Sequence, residues 1–443
     1  MATIISIIFI LQVFLQNYLV LTSSILGKNR ETLEIIIGGG GGNSPPPPPP
    51  DNQDCPPPPP PPPVPPCPPP PSPPLLFFES KRVEIAYHVI QKFKAKIKID
   101  PFGITKTWVG SDVCHKYKGF DCAIVPDYKV QGLAAVDFNQ FMFDGPDLTL
   151  DGFLDELPDV TVFHANSNKF KGTIPKNIAN LRYLYELDLS SNNYNGEFPY
   201  NVLGAKNLYF LDLRFNTFSG LVPPQVFLLN LAVLFINNNN LIQKLPDNLG
   251  STPVLYLTLA NNKFTGPIPR SIGQACKTLR EVLFLNNQLT GCLPYEIGLL
   301  NKATLFDVSG NQLTGKIPHS FGCLAKIQIL NLAHNQFYGP VPELVCKLSN
   351  LKNLSLSYNY FTEVGPECKK LIQRKIVDVR MNCIPGLPMQ RSAGECSAFF
   401  CKPRSCPNEK SLGFIPCSVG SFEQNQFDTS APTTYSALKP HSL

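Results

Sequence analysis

An asparagine recurs through the middle of the chain at Asn168, Asn192, Asn216, Asn239, Asn262, Asn287, Asn311, Asn335, Asn359 and Asn382, at intervals of 23 to 25 residues. A period this constant over more than 200 of 443 residues is that of a solenoid, in which each coil contacts only its neighbours. Around each asparagine runs the frame LxxLxLxxNxFxGxIP, as in Leu184, Leu187, Leu189, Asn192, Tyr194, Phe198 and Pro199. The LxL pair predicts a short strand whose alternate side chains turn inward and stack on Leu211 and Leu213 of the next coil. Burying one Leu or Phe contributes about 1.5 to 3 kcal/mol, so a single coil cannot offset the entropy of ordering two dozen residues. Neighbours must cover both of its faces. The asparagine falls where the strand bends, and ten buried amides are expected to form a ladder on otherwise unpaired backbone groups.

Outside the array the composition changes abruptly. Residues 1–27 carry an apolar run from Ile4 to Leu21 followed by Thr22, Ser23 and Ser24. This reads as a secretory signal peptide, with a short membrane anchor as the alternative because no basic residue precedes it. Residues 28–78 hold a glycine run, Gly38 to Gly42, and a proline tract with 22 prolines among the 30 positions from Pro45 to Pro74. Fixed φ and missing amide donors predict a polyproline II rod of roughly 90 Å, acting as a linker or as an attachment to a polymer matrix. Cys55 and Cys67 in this tract pair with each other or with another chain. Residues 79–129 form the expected amino-terminal cap: Val83, Ala86, Tyr87, Ile90, Phe93 and Ile97 recur at helical spacing, and Cys114 and Cys122 make a pair. Gly132 to Gly145 reads as a degenerate first coil with Asn139 in the asparagine position. The repeats occupy 130–385. Cys323 and Cys346, one coil apart, suggest a disulfide across the stack, and a cysteine-containing cap with a disordered polar tail is expected over 386–443.

Net charge is +5 and dispersed, which argues against nucleic acid as a partner. No later window has the ~18 apolar residues of a stable membrane span. The fourteen cysteines suit an oxidising compartment, and no CxxC or Cys/His cluster calls for a metal. The six histidines, at 88, 115, 164, 319, 334 and 441, are scattered, and no nucleophile elbow, HExxH or phosphate loop occurs. The expectation is a non-enzymatic protein without a catalytic residue, cofactor or metal. The strand register supplies a site instead. Positions six, four and two residues before each asparagine point away from the core and line the inner curve. They place Glu186, Asp188, Phe210, Asp212, Arg214, Phe235, Tyr256, Glu281 and Asp307 on one surface, where carboxylates and rings suit a cationic partner. Outward positions also need polar residues for solvation alone. The sequon Asn353-Leu-Ser355 marks a candidate glycosylation site near the far end of that face.

The frame resembles leucine-rich repeats, and Gly-x-Ile-Pro marks their plant extracellular subclass, so the expected fold is an α/β solenoid: a horseshoe of ten to eleven 24-residue coils with cysteine-stapled caps. Several segments narrow the likeness: Trp108-Val-Gly-Ser-Asp-Val-Cys114, Phe163 to Phe170, Phe210 to Asn216, Leu289-Thr-Gly-Cys-Leu-Pro294, Glu296 to Leu300, Phe306 to Ser309, and Asn382 to Ser392. Together they resemble secreted plant proteins related to the leucine-rich repeat extensins. The chain departs from that family in lacking the carboxy-terminal extensin region, with polar sequence from Cys417 to Leu443. Cysteine is frequent in such relatives where Pro267 stands here, as partner of the residue at Cys292; Cys276 is the expected substitute. The resemblance implies a protein of the plant cell wall or apoplast that binds a basic, cysteine-rich signalling peptide of the rapid alkalinisation type on the repeat face and links it to cell-wall polymers through the proline tract. Alternatives are an inhibitor of a wall-degrading enzyme, as in polygalacturonase-inhibiting proteins, and a structural wall glycoprotein. A homodimer is also compatible with this reading.

Overall fold

The structure, a computed structural model, describes residues 76–407, 409–419 and 438. The expected leader, the glycine run, the proline tract with Cys55 and Cys67, and most of the tail beyond Val419 lie outside the described residues. The architecture is the leucine-rich repeat solenoid that the period predicts. Its inner face is a twelve-stranded sheet. An antiparallel hairpin, β1 (Phe120–Ile124) and β2 (Gln131–Asp137), opens it, and ten short parallel strands follow from Val162–His164 to Val377–Asp378. Equivalent positions of successive coils pair directly, so Phe163 meets Leu187 and Leu187 meets Leu211. All three are fully buried, as inward-facing residues of a stacked coil must be.

All ten periodic asparagines are buried, and their bonds repeat from coil to coil. The Asn216 amide donates from Nδ2 to the carbonyls of Leu189, Leu213 and Arg214, while its Oδ1 accepts from the backbone of Tyr194. One side chain thus satisfies its own bend and ties it to the coil before. Asn139 is not the first member. The register of β2 puts Phe141 at that place, and the Phe143 amide reaches forward to Asn168. Asn139 instead accepts from the Asn166 backbone, because β2 is aligned by its hairpin partner and not by a preceding coil. The bend itself is made by the residue before each ladder asparagine, which lies in the left-handed region at Ser167, Ser191, Phe215, Asn238, Asn261, Asn286, Gly310, His334, Tyr358 and Met381. On the opposite side short 3₁₀ helices lie against one another, and Gly250 shows how closely. A Cβ there would collide with the Ser271 carbonyl of the next coil.

The first coil is covered by helix α1 (Lys81–Lys94), capped by the Ser80 hydroxyl, with Glu84 in its first turn and Lys92 and Lys94 in its last. Val83, Ala86, Ile90 and Phe93 are buried as the helical spacing predicts, and Phe93 stacks on Phe153 at 3.7 Å. Trp108 is fully enclosed and donates from Nε1 to the Lys118 carbonyl. Arg82 Nε donates to Asp159 at 2.8 Å, fastening the helix to the array.

Five disulfides occur among the described residues. Cys114–Cys122 closes the amino-terminal cap. The expected bonds Cys323–Cys346 and Cys276–Cys292 do not form. Cys346 pairs with Cys368, Cys323 with Cys417, and Cys292 with Cys406, while Cys276 is a free thiol. The reason is geometric. Cys323 and Cys346 both end a convex-side helix, and residues at the same phase project in parallel rather than toward each other. Cys368 sits near the start of its helix, out of phase with Cys346, and so can meet it. The other partners come from a segment that does more than close the last coil. After Cys383–Cys396 and the helix Ala393–Phe400, the chain doubles back along the array. Phe399 stacks on Tyr360 at 3.5 Å, Arg404 lies over Phe399 and donates to Gln336, and Cys406 and Cys417 reach Cys292 and Cys323. Gly315 makes room for the Cys292–Cys406 bond, since a Cβ there would meet Cys406 Sγ. The result is a strap across several coils.

Candidate functional site

The predicted inner-curve residues lie in three files along the sheet, one for each outward position of the strand. The file at six residues before each asparagine runs Glu186, Phe210, Val233, Tyr256 and Glu281, aligned by direct pairing and all partly exposed. It continues to Leu305, Ile329 and exposed Asn353. The next file, four residues before, carries His164, Asp188, Asp212, Phe235, Thr258, Leu283 and Asp307. Arg214 belongs to the third, two residues before. All the predicted site residues therefore share the inner surface.

They are not equally accessible. Asp188, Asp212 and Asp307 were expected as solvent-facing acids, yet they are 5%, 0% and 0% exposed. Each bends its carboxylate onto the chain two residues ahead: Asp188 accepts from the Ser190 amide and hydroxyl, Asp212 from the Arg214 amide, and Asp307 from the Ser309 amide and hydroxyl. These bonds satisfy backbone donors at the strand ends, a structural task the outward position does not reveal. Arg214 is also buried, its Nε 2.9 Å from Asp212 and its guanidinium over the Phe235 ring at 5.2 Å. His164 Nε2 lies 3.0 Å from Glu186 Oε2, and Phe210 leans on both His164 and Phe235. The early coils thus present an interlocked polar cluster. Sequence reasoning missed His164 as a member, though it holds the same register position as Asp188.

Burial pushes the Asp212 carboxyl up to about 8, against the opposing pull of Arg214 and with help from Asp188. Burial disfavours charge on His164 too, but the hydrogen bond it donates to Glu186 and the field of Asp188 outweigh it and raise its pKa. Asp212 in the folded chain keeps a proton that the unfolded chain gives up from about pH 4 upward, so its contribution favours folding more as pH falls from about 8 toward 4. His164 acts in the same sense: its stabilisation is complete below the unfolded value near 6.5 and is lost as pH rises through the higher folded value. Thermal melts are expected to give a midpoint several degrees higher at pH 5.5 than at pH 8. Asp212→Asn should flatten that dependence; an unchanged slope would remove Asp212 from the account.

Farther along, the inner face becomes apolar. Ala260, Leu283 and Leu305 form a buried cluster with Phe235, Leu285 and Ile329 packed at its edge, although all occupy outward strand positions. Beyond it Asp307, Ser309 and Asn331 restore polarity, with Asn331 Nδ2 donating to Asp307 at 2.9 Å. On the cap surface Glu79, Asp112 and His115 come together, and His115 Nδ1 lies 2.9 Å from Asp112 in an exposed pair at the start of a short helix. No helix among the described residues is long and apolar enough to cross a membrane.

Comparison with known proteins agrees with this geometry. The Leucine Rich Repeat family model matches residues 303–324, 326–348 and 350–371. Leucine-rich repeat extensin-like protein 6 of Arabidopsis thaliana is 54% identical over 323 residues, covering 72% of this chain and 67% of that protein. Leucine-rich repeat extensin-like protein 1 of the same plant is 50% identical over 331 residues, 74% of this chain but 44% of that longer protein. Among solved structures, the crystal structure of PEPR1-AtPEP1 superposes with a TM-score of 0.53 at 25% identity, over 68% of this chain and 48% of that one.

Proposed function

The chain belongs to the leucine-rich repeat extensin-like family, and on that premise we propose that its array is a non-enzymatic recognition surface of the plant cell wall whose inner curve binds a basic, cysteine-rich secreted peptide. The observation that carries this reading is the file of Glu186, Phe210, Val233, Tyr256 and Glu281. Two carboxylates end a row of partly exposed apolar and aromatic side chains. Adjacent strands lie about 4.8 Å apart, so the two acids stand roughly 19 Å from each other, the reach of an extended peptide of about six residues. Rings between acids suit Lys and Arg side chains, whose stems pack on the aromatic faces while their charges approach the carboxylates. Asp188, Asp212 and Asp307 support the surface from beneath and do not contact the ligand in this reading.

The chain spans less than half of its longer relative. Attachment of the bound peptide to wall polymers is assigned to the proline tract, and a glycan on exposed Asn353 would confine the ligand to the earlier coils. The test is calorimetric titration of the secreted full chain with basic cysteine-rich peptides. Glu186→Gln with Tyr256→Ala is expected to weaken binding ~10- to 100-fold, as truncation of a central aromatic contact does. Unchanged affinity in that double variant, with an unchanged melting temperature, would remove this surface from the proposal.

A further inference from the structure

Charge that is dispersed along the sequence is gathered by the stacking of the coils. The last five strands of the inner sheet, which open with Glu281, Leu305, Ile329, Asn353 and Val377, are each approached by seven residues: 274–280, 298–304, 322–328, 346–352 and 370–376. Together these approach segments hold nine basic side chains and no acidic one, whereas the same segments of the five preceding coils hold two basic and three acidic. The later segments lie side by side, because the Thr304 amide donates to the Arg280 carbonyl, that of Gln328 to Thr304 and that of Lys352 to Gln328. All nine basic side chains are exposed or partly exposed, and among the described residues only Lys370 is in an ion pair, with Glu367. Adjacent strands are about 4.8 Å apart, so the nine charges are spread over roughly 20 Å of one edge of the array. Screening in physiological salt acts over about 8 Å, farther than the step from coil to coil, and their fields therefore add.

The chemistry of the edge narrows its partner. Seven of the nine side chains are lysines, point charges without the planar fork of arginine, and the five segments contain no aromatic residue. A single-stranded nucleic acid would find no ring there to stack on. What the edge offers is a line of cations with neutral hydrogen-bonding side chains among them, such as Asn301 near Lys302 and Gln328 near Lys326. A chain of sugars with a carboxylate on each unit suits both, its charges meeting the ammonium groups and its hydroxyls the amides. We propose that this edge docks a linear acidic polysaccharide, a polymer of uronic acid residues. The polymer runs across the coils and passes Lys277, Lys302, Lys326, Lys352 and Lys375 in turn. This is an attachment of the repeat array itself, separate from the one assigned to the proline tract and independent of peptide binding on the inner curve.

The experiment uses the secreted full chain, so that the proline tract is present in every sample. It measures binding to polygalacturonate and to the same polymer with its carboxyls methyl-esterified. Affinity for the free-acid polymer is expected to fall ~10-fold or more as salt rises from about 50 to about 200 mM, since counterion release drives contacts of this kind. The esterified polymer keeps its hydroxyls and loses its charges, and should bind at least ~10-fold more weakly. Lys302→Gln with Lys326→Gln and Lys352→Gln should weaken binding ~10-fold or more and flatten the salt dependence. Lys169→Gln with Lys263→Gln and Lys316→Gln, exposed lysines elsewhere on the array, should not. The edge variant should melt no lower than the parent, because like charges have been removed from one another. Equal weakening by the two triple variants, or equal binding of the free-acid and esterified polymers, would overturn the docking edge. Tighter binding of duplex DNA than of polygalacturonate at matched charge would overturn the polysaccharide as its partner.

Discussion

Asn216→Ala is expected to destabilise the repeat array by about 3 to 5 kcal/mol, a loss of roughly 6 to 15 °C in melting temperature. The side chain is 8% exposed and makes four hydrogen bonds, three as donor to Leu189, Leu213 and Arg214 and one as acceptor from the Tyr194 amide. Its removal leaves carbonyls and an amide unpaired where water has no access, and each such group costs on the order of 1 to 3 kcal/mol. Asn216→Asp keeps the acceptor, loses the donors and places a charge among carbonyl oxygens, so it should be no milder. Asn139→Ala supplies the comparison. Asn139 resembles the ladder residues in sequence but lies outside their register, and should lose less than half as much. Equal losses at the two positions in urea or thermal unfolding would show that the ladder does not carry the stability assigned to it.

Cutting the strap is expected to have an effect of similar size. Cys292 and Cys406 close a loop of 114 residues, and joining points so far apart restricts the unfolded chain by about 4 to 5 kcal/mol in the chain-entropy account. Cys292→Ser with Cys406→Ser should therefore lower stability by about 2 to 5 kcal/mol. A second readout is local. Arg404 is held by Gln336, by Phe399 and through its carbonyl by Tyr338. In the double variant trypsin should cleave after Arg404 under native conditions, before the repeats are digested. Resistance at Arg404 together with unchanged stability would mean that the strap is held by its packing alone.

How legible this protein is depends on the range over which each feature is encoded. The LxL strands, the asparagine bends and the stacking of Leu187 on Leu211 repeat every two dozen residues, so each coil states the rule again. The amphipathic spacing of Val83, Ala86, Ile90 and Phe93 is likewise local, and the cap helix forms where it predicts. The same arithmetic identified which side chains share the inner surface. It could not tell an accessible acid from a buried one. Glu186 and Asp188 differ by one outward step in the strand, and Asp188 is drawn down by accepting from the Ser190 amide and hydroxyl and from Asn166 Nδ2.

Periodicity by itself determined a right choice of architecture, because a solenoid's energy is a sum of nearest-neighbour contacts and a repeated sequence must make repeated contacts. Tertiary structure decided what breaks the repeat: that Cys292 and Cys323 are bonded to a returning strap, and that Phe141 and not Asn139 starts the register. The strap disulfides join residues several coils apart, and the first register is set by a hairpin outside the repeat. Nothing in the local pattern encodes the path of the chain between them, and their geometry exists only once the coils have stacked.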